Sequence, residues 1–214
     1  MKDSTLGALF FPKGTKKNPV KFDELFIPYI YREIYFESLY VDITNGKTDM
    51  TIVDVGANIG VTVQYFRQFS KKIYAVEPSS QHFEALKKNK DFNEWDNVEL
   101  TNAAIADKDG EMVLNTLGGN RTCYSLINDY HQGGEKVKTI AMDTFFKTNN
   151  IKKCDFMKFD VEGAEDLILR SEGFKKVAKK VNAIMVVFHY DSWKELVKYM
   201  IELGYTARQY QSSA

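Results

Sequence analysis

A chain of 214 residues with 44% hydrophobic and 14% aromatic content has enough apolar side chains for one sizeable core, which excludes a disordered protein. Lys plus Arg (29) balance Asp plus Glu (29), so no net field draws the chain to nucleic acid or to an anionic membrane. Cys123 and Cys154 are too few and too isolated for a metal cage or a disulfide framework, which suits a reducing cytoplasm.

Residues 1–20 hold Gly7, Pro12, Gly14 and Pro19 without periodicity and read as an N-terminal arm. The apolar patch at 6–11 is shorter than a signal-peptide core, and the longest later run, 183–188, is far below a membrane span. From Phe22 to about Tyr40, the residues Leu25, Phe26, Tyr29, Ile30 and Ile34 recur at helical spacing. That predicts one or two helices laid across the domain that follows, with the boundary between 1–45 and 46–214.

After Gly46 strands and helices alternate. A strand at 51–55 leads to a helix at 59–69, a strand at 72–77 leads to a helix at 80–90, and a third strand runs over 97–105. Such β-α units build a parallel sheet, here an α/β, Rossmann-like, doubly wound one. Two β-rich runs, 111–117 and 135–142, predict an excursion outside the main sheet order; the segment between them, 118–134, has glycines at both ends and reads as a lid. The alternation then resumes with a strand at 155–160, a helix at 162–171 and a strand at 183–190. The helix over 193–203 has Ser192 as N-cap and Glu195 as its capping-box partner, with a core stripe of Trp193, Leu196, Val197, Met200 and Ile201 and with Gly204 past its end. A strand at 205–211 closes the chain, and the basic runs at 16–21 and 174–180 read as solvated faces.

Open parallel sheets bind ligands at the carboxyl ends of their strands. The residues expected there are Asp54 with Gly56, Glu77, Asn102, Asp160 with Glu162, and His189. In the stretch VDVGANIG, 53–60, Gly56 can leave room for a ligand against the main chain, and Gly60 lets helix and strand approach; both glycines also suit plain tight packing. Glu77, 21 residues after Gly56, sits where a carboxylate accepts hydrogen bonds from the hydroxyls of an adenosine ribose. Two adenosine-bearing ligands compete for such a site. A nicotinamide or flavin dinucleotide needs bare backbone N–H groups for its pyrophosphate, but the middle glycine of that turn is Asn58 here, and Asp54 would repel phosphate. S-adenosylmethionine carries an ammonium and a sulfonium, which the same acid attracts.

VDVGANIG and AVEPS, 75–79, resemble the glycine motif and the acidic motif of class I S-adenosylmethionine-dependent methyltransferases. DFMKFDVEGAE, 155–165, is similar to the Asp-x-x-Lys-x-Asp-x-Glu-Gly-x-Glu segment of the FkbM family of these enzymes, and 102–114 and 137–146 follow that family's pattern. The resemblance spans about residues 50–190. It implies a mostly parallel seven-stranded sheet, to which the helices read from the spacing of 22–40 add an N-terminal helical extension, and S-adenosylmethionine as cofactor. It also implies that Asp54, Gly56, Asn58 and Gly60 line the methionine side, that Glu77 and Pro78 meet the ribose, and that Asn102 with Ala103 lies near the adenine. The arm 1–45 and the segment 118–134 match no part of the pattern, and FHY at 188–190 is less acidic than the family's strand end.

Methyl transfer from a sulfonium chiefly needs alignment, worth about 7 kcal/mol or more, and for a hydroxyl acceptor a base worth roughly 10²- to 10⁴-fold. Asp160, Glu162 and His189 are the candidates for that base. Each has a plainer alternative: Asp160 and Glu162 can cap a helix beside Glu165 and Asp166, and His189 can be a hydrogen-bonded core histidine. Lys158, inside an apolar strand, has no assigned role, and no ligand spacing calls for a metal. The chain lacks the Asn/Asp-Pro-Pro-Tyr/Phe segment of amino-group methyltransferases, so the expected activity is O-methylation of a small-molecule or glycan hydroxyl. The alternatives are a methyltransferase of tRNA or other nucleic acid, which the neutral charge disfavours, and a catalytically silent S-adenosylmethionine-binding module. No feature of the sequence indicates an oligomeric state.

Overall fold

The structure is a computed structural model that describes residues 47–116, 124–126, 134–187 and 193–207. The expected N-terminal arm and helices, most of the segment 118–134, Ser192 and His189 lie outside the described residues.

Nine strands and six α-helices occur among the described residues. In chain order they are β1 (Met50–Val55), α1 (Val61–Phe66), β2 (Ser70–Val76), α2 (Ser80–Phe92), β3 (Val98–Thr101), β4 (Ala104–Ala106), β5 (Gly110–Thr116), β6 (Tyr124–Ser125) and β7 (Gly134–Ala141). There follow α3 (Met142–Thr148), β8 (Phe156–Phe159), α4 (Glu165–Leu169), α5 (Glu172–Val177), β9 (Ile184–Val186) and α6 (Trp193–Glu202). The main sheet has the order β3-β2-β1-β8-β9, with every pairing parallel. From β1 the chain winds outward one way to β2 and β3 and later the other way to β8 and β9. The order therefore reverses between β1 and β8, the place where doubly wound sheets open a crevice for ligands.

Both faces of this sheet are covered, which is why its strands read as near-continuous apolar runs. Alternate side chains point to opposite faces. Val53 and Val55 of β1, Val76 of β2, and Met157 and Phe159 of β8 join one cluster with residues of α3, α4 and α5. Met50 and Ile52 of β1, Ile73 and Ala75 of β2, and Phe156 of β8 join another with residues of α1 and α2 and with Trp95. Parity therefore assigns Asp54 and Lys158 to the face beneath α1, an apolar one.

The expected excursion is a second sheet of order β4-β7-β5-β6, in which β4 and β7 are parallel and the other pairs antiparallel. Among the described residues the parallel sheet has five strands, not the seven expected. The run 97–105 also breaks, at Asn102 and Ala103: β3 stays in the main sheet while β4 joins the second. The Asn102 amide donates to the carbonyls of Glu77 at 2.9 Å and Pro78 at 3.2 Å, holding the chain at the point where it changes sheets. Of the closing strand, 205–207 is irregular and the rest lies outside the described residues.

Other boundaries shift for local reasons. The helix expected over 162–171 begins only at Glu165, because Glu162 (φ 54) and Gly163 (φ 105) are left-handed, a geometry no α-helix accommodates. The helix expected from 59 begins at Val61, after a tight turn that ends at Gly60 (φ 94). The run 174–180 is not merely a solvated face: its lysines are exposed, but Phe174 and Val177 are buried on the apolar side of α5. In α6, Leu196 is buried and Met200 packs on the core, whereas Ile201 is 52% exposed and drops out of the expected stripe. The end of α6 is as read: Gly204 is left-handed, its N–H reaches Ile201 O, and the Tyr205 N–H reaches Met200 O.

Candidate cofactor and active site

The site forms where β1, β2, β3 and β8 end. After β1 the chain makes a tight turn, 56–60, in which Gly56 (φ 84), Asn58 (φ 50) and Gly60 (φ 94) are all left-handed. The room at Gly56 is filled by protein: a Cβ there would collide with the Asp160 carbonyl oxygen and lie 2.9 Å from its carbon. Gly56 thus lets the loop after β8 close on the loop after β1. At Gly60 a Cβ would meet Leu86 at 2.6 Å and the Trp95 ring at 2.8 Å, so the element it admits is the α2 side of the domain.

Every backbone N–H of this turn is already donated inside the protein. Those of Gly56 and Ala57 go to Val76 O at 3.0 Å, and that of Gly60 goes to Ala57 O at 2.9 Å. The Asn58 N–H goes to Glu77 Oε2 and the Ile59 N–H to Asn58 Oδ1, both at 2.8 Å. A pyrophosphate-binding turn must aim such groups at its ligand. This one has none to spare, so its donor set does not suit a dinucleotide.

Glu77, just past β2, is 5% exposed. Its Oε2 takes the Asn58 N–H, and its Oε1 takes the Ser79 N–H at 2.9 Å, with His82 Nδ1 3.8 Å away. Burial pushes its carboxyl up to about 7, against the pull of the two amides and of Lys158. A carboxylate has about four lone-pair sites and two are in use here, so capacity remains for a pair of ribose hydroxyls. Pro78 is half-buried and Ala103 buried beside it in sequence to Asn102, which is exposed apart from its two carbonyl contacts. On the other side of this turn Glu135 of β7 accepts the Ser80 N–H at 3.2 Å, and the Ser80 hydroxyl, which ties the second sheet to the start of α2.

Asp54 lies within β1, not beyond it, and is 0% exposed. Its Oδ2 accepts the Thr62 hydroxyl at 2.5 Å, and its Oδ1 lies 3.2 Å from Lys158 Nζ. Burial raises its proton affinity, with the Lys158 charge and the Thr62 hydrogen bond pulling the other way. Lys158, itself 2% exposed, also donates to Gly56 O at 3.1 Å and lies 3.4 Å from Asp160 Oδ2. Asp160, whose side chain is 36% exposed, is the acid of this group that reaches solvent. The lysine without a role in sequence is thus the centre of the group. Its signal was the single cation in the run FMKF, in register with Asp54 on the neighbouring strand.

Glu162 follows in a left-handed conformation that is uncommon for a residue with a side chain and is concentrated at functional sites. Glu165, buried, holds this loop by accepting the N–H groups of Val161 at 3.2 Å and Gly163 at 3.3 Å through Oε1. Sequence reading gave Glu165 only a helix-dipole role, and nothing in the residue pattern marked Thr62 as a partner of Asp54. His189, the third candidate base, is outside the described residues. The two groups, Asp54–Lys158–Asp160 and Asn58–Glu77–Asn102, meet through the turn 56–60. With Asp54 paired to Lys158, the carboxylates left are Asp160 and, above about pH 7, Glu77, and these favour a cationic ligand over an anionic one.

Comparison with known proteins bears on the family and the fold. The family model described as the methyltransferase FkbM domain matches residues 54–207. "Methyltransferase 1" of Beauveria bassiana (strain ARSEF 2860) is 26% identical over 170 residues, covering 69% of this chain and 68% of that protein. Among solved structures, the methyltransferase FkbM from Methylobacillus flagellatus KT is similar with a TM-score of 0.54 at 14% identity, over 81% of this chain and 41% of that one. This chain therefore spans less than half the length of that protein. A SAM-dependent methyltransferase from Aquifex aeolicus has a TM-score of 0.46 at 13% identity, over 84% of this chain and 88% of that one. The fold is that of the class I methyltransferases, a class that implies S-adenosylmethionine as methyl donor. With the FkbM match extending over more than two thirds of its length, the chain belongs to the FkbM family of methyltransferases.

Proposed function

We propose that the chain transfers a methyl group from S-adenosylmethionine to a hydroxyl of a small molecule or glycan. The observation that carries the donor half is the turn 56–60, where no N–H is left for a phosphate, set among Asp54, Glu77 and Asp160. In this reading Glu77 and Pro78 hold the ribose, Asn58 and the Gly56–Gly60 turn flank the methionine part, and Asn102 with Ala103 borders the adenine. The cofactor, when bound, supplies a methyl group already activated by its sulfonium.

The protein's own contribution is orientation and proton acceptance. Asp160 is the acid best placed to take a hydroxyl proton, because it directly follows β8, stays partly open to solvent and is held from behind by Lys158. Glu162, two residues on, and His189 complete the candidate set. The absence of an amino-group methyltransferase segment from the sequence supports a hydroxyl acceptor. The scarcity of cysteine supports a cytoplasmic setting.

The test is S-adenosylhomocysteine release against a panel of hydroxyl compounds and glycans, with amines and tRNA run in parallel. The expected result is turnover with a hydroxyl compound that Asp160→Asn lowers by about 10²-fold or more at nearly unchanged donor affinity. Turnover on tRNA or amines alone would contradict the acceptor assignment, and donor binding without any turnover would leave a binding module.

A further inference from the structure

Asp54 and Lys158 are direct register partners on β1 and β8, on the apolar face beneath α1. The ammonium donates to Asp54 Oδ1 and Gly56 O and has Asp160 Oδ2 as an ion-pair partner at 3.4 Å. Asp54 spends its other oxygen on Thr62 and shows no surface to a ligand. A buried ion pair adds little stability over uncharged side chains of similar volume, yet losing one partner is costly because the other charge is stranded. Here the stranded charge would sit directly under the donor turn, since Lys158 holds the carbonyl of Gly56.

We propose that Asp54 and Lys158 are positioning residues for the donor site: as a pair they set the turn 56–60 against the loop after β8, and neither side chain touches S-adenosylmethionine. The acid of the glycine motif then acts through its lysine and not as a direct counter-ion of the methionine ammonium. The proposal rests on the donor reading given above and deepens it.

The test compares S-adenosylmethionine affinity, by calorimetry, for wild type, Asp54→Asn, Lys158→Gln and the double variant, with melting temperatures for all four. Each single substitution leaves one buried charge short of its partner and is expected to weaken binding roughly tenfold or more. In the double variant two amides replace the two charges, and affinity is expected to return to within about threefold of wild type. A direct contact between Asp54 and the donor predicts instead that the double variant binds as weakly as Asp54→Asn, which would overturn the proposal. So would single variants that bind like wild type, or a double variant that does not fold, since the pair would then serve the fold and not the site. If only the singles fail to fold, the double variant against wild type decides on the same threshold. A wild-type chain that binds no S-adenosylmethionine overturns the donor reading and this proposal together, an outcome seen without any variant.

Discussion

Replacing Glu77 by Gln is expected to weaken S-adenosylmethionine binding by about 100-fold, because hydrogen bonds to a charged acceptor contribute about 1.5–3 kcal/mol each. The same variant is expected to melt at or above the wild-type temperature at pH 8. The reason is the burial that lifts the Glu77 carboxyl from 4.5 to about 7. Carrying the charge in the folded state at pH 8 therefore costs about 3 kcal/mol. Between these two values the folded chain holds a proton that the unfolded chain has lost, so the group's contribution to stability falls as pH rises from 4.5 to 7 and is level above. Gln escapes that penalty, offset in part by about 1–3 kcal/mol if its NH2 leaves the Asn58 or Ser79 N–H unpaired. The melting difference should shrink toward pH 5. Thermal melts at the two pH values with calorimetric titrations check both halves; wild-type affinity in the variant would remove Glu77 from the donor site.

Gly56→Ala is the substitution expected to damage both fold and site. Its Cβ has no place to go, since the Asp160 carbonyl fills that position, and the backbone angle of φ 84 is itself unfavourable for alanine. Relief requires the ends of β1 and β8 to separate, which breaks the Asp160 N–H to Val55 O bond and the Lys158 contact with Gly56 O. Overpacking plus left-handed strain adds to roughly 3 kcal/mol or more, a fall of about 6–12 °C in melting temperature for a chain of this size. Donor binding should be lost with it. Gly60→Ala is the useful contrast: it presses on the Leu86 side-chain end and the Trp95 ring but leaves the β1–β8 seam intact, so the seam's hydrogen-exchange protection should survive. Equal loss of that protection in both variants would contradict the assignment of Gly56 to the seam.

The parts of the fold legible in sequence are those with a strong period. β1, β2 and β8 are apolar runs bounded by turn residues, and a residue expected at each strand end, Gly56, Glu77 and Asp160, lies at the switch point or next to it. The short helices α3 and α5, of seven and six residues, have no counterpart among the expected elements: each has fewer than two turns, and unlike α1 and α4 neither follows a strand of the parallel sheet. The break of 97–105 into β3 and β4 depends on where one asparagine side chain donates, a tertiary fact that no local pattern carries. The site divides the same way. Carboxylates and glycines at strand ends announce a ligand, whereas the pairing of Asp54 with Lys158 needs the register between two strands separated by a hundred residues. The filling of Gly56 by a backbone carbonyl is likewise invisible until the β8 loop is in place.

The proposed hold of the strand ends on a cationic sulfur donor is by carboxylates, with no turn amides left for phosphate. It is tested most directly by calorimetric titration of the wild-type chain with S-adenosylmethionine and with NAD at pH 6 and pH 8. The predicted result is that S-adenosylmethionine binds about tenfold more tightly at pH 8, as Glu77 gives up its proton near 7, and that NAD does not bind. Binding of NAD in preference to S-adenosylmethionine, or donor affinity that weakens as pH rises, would contradict it.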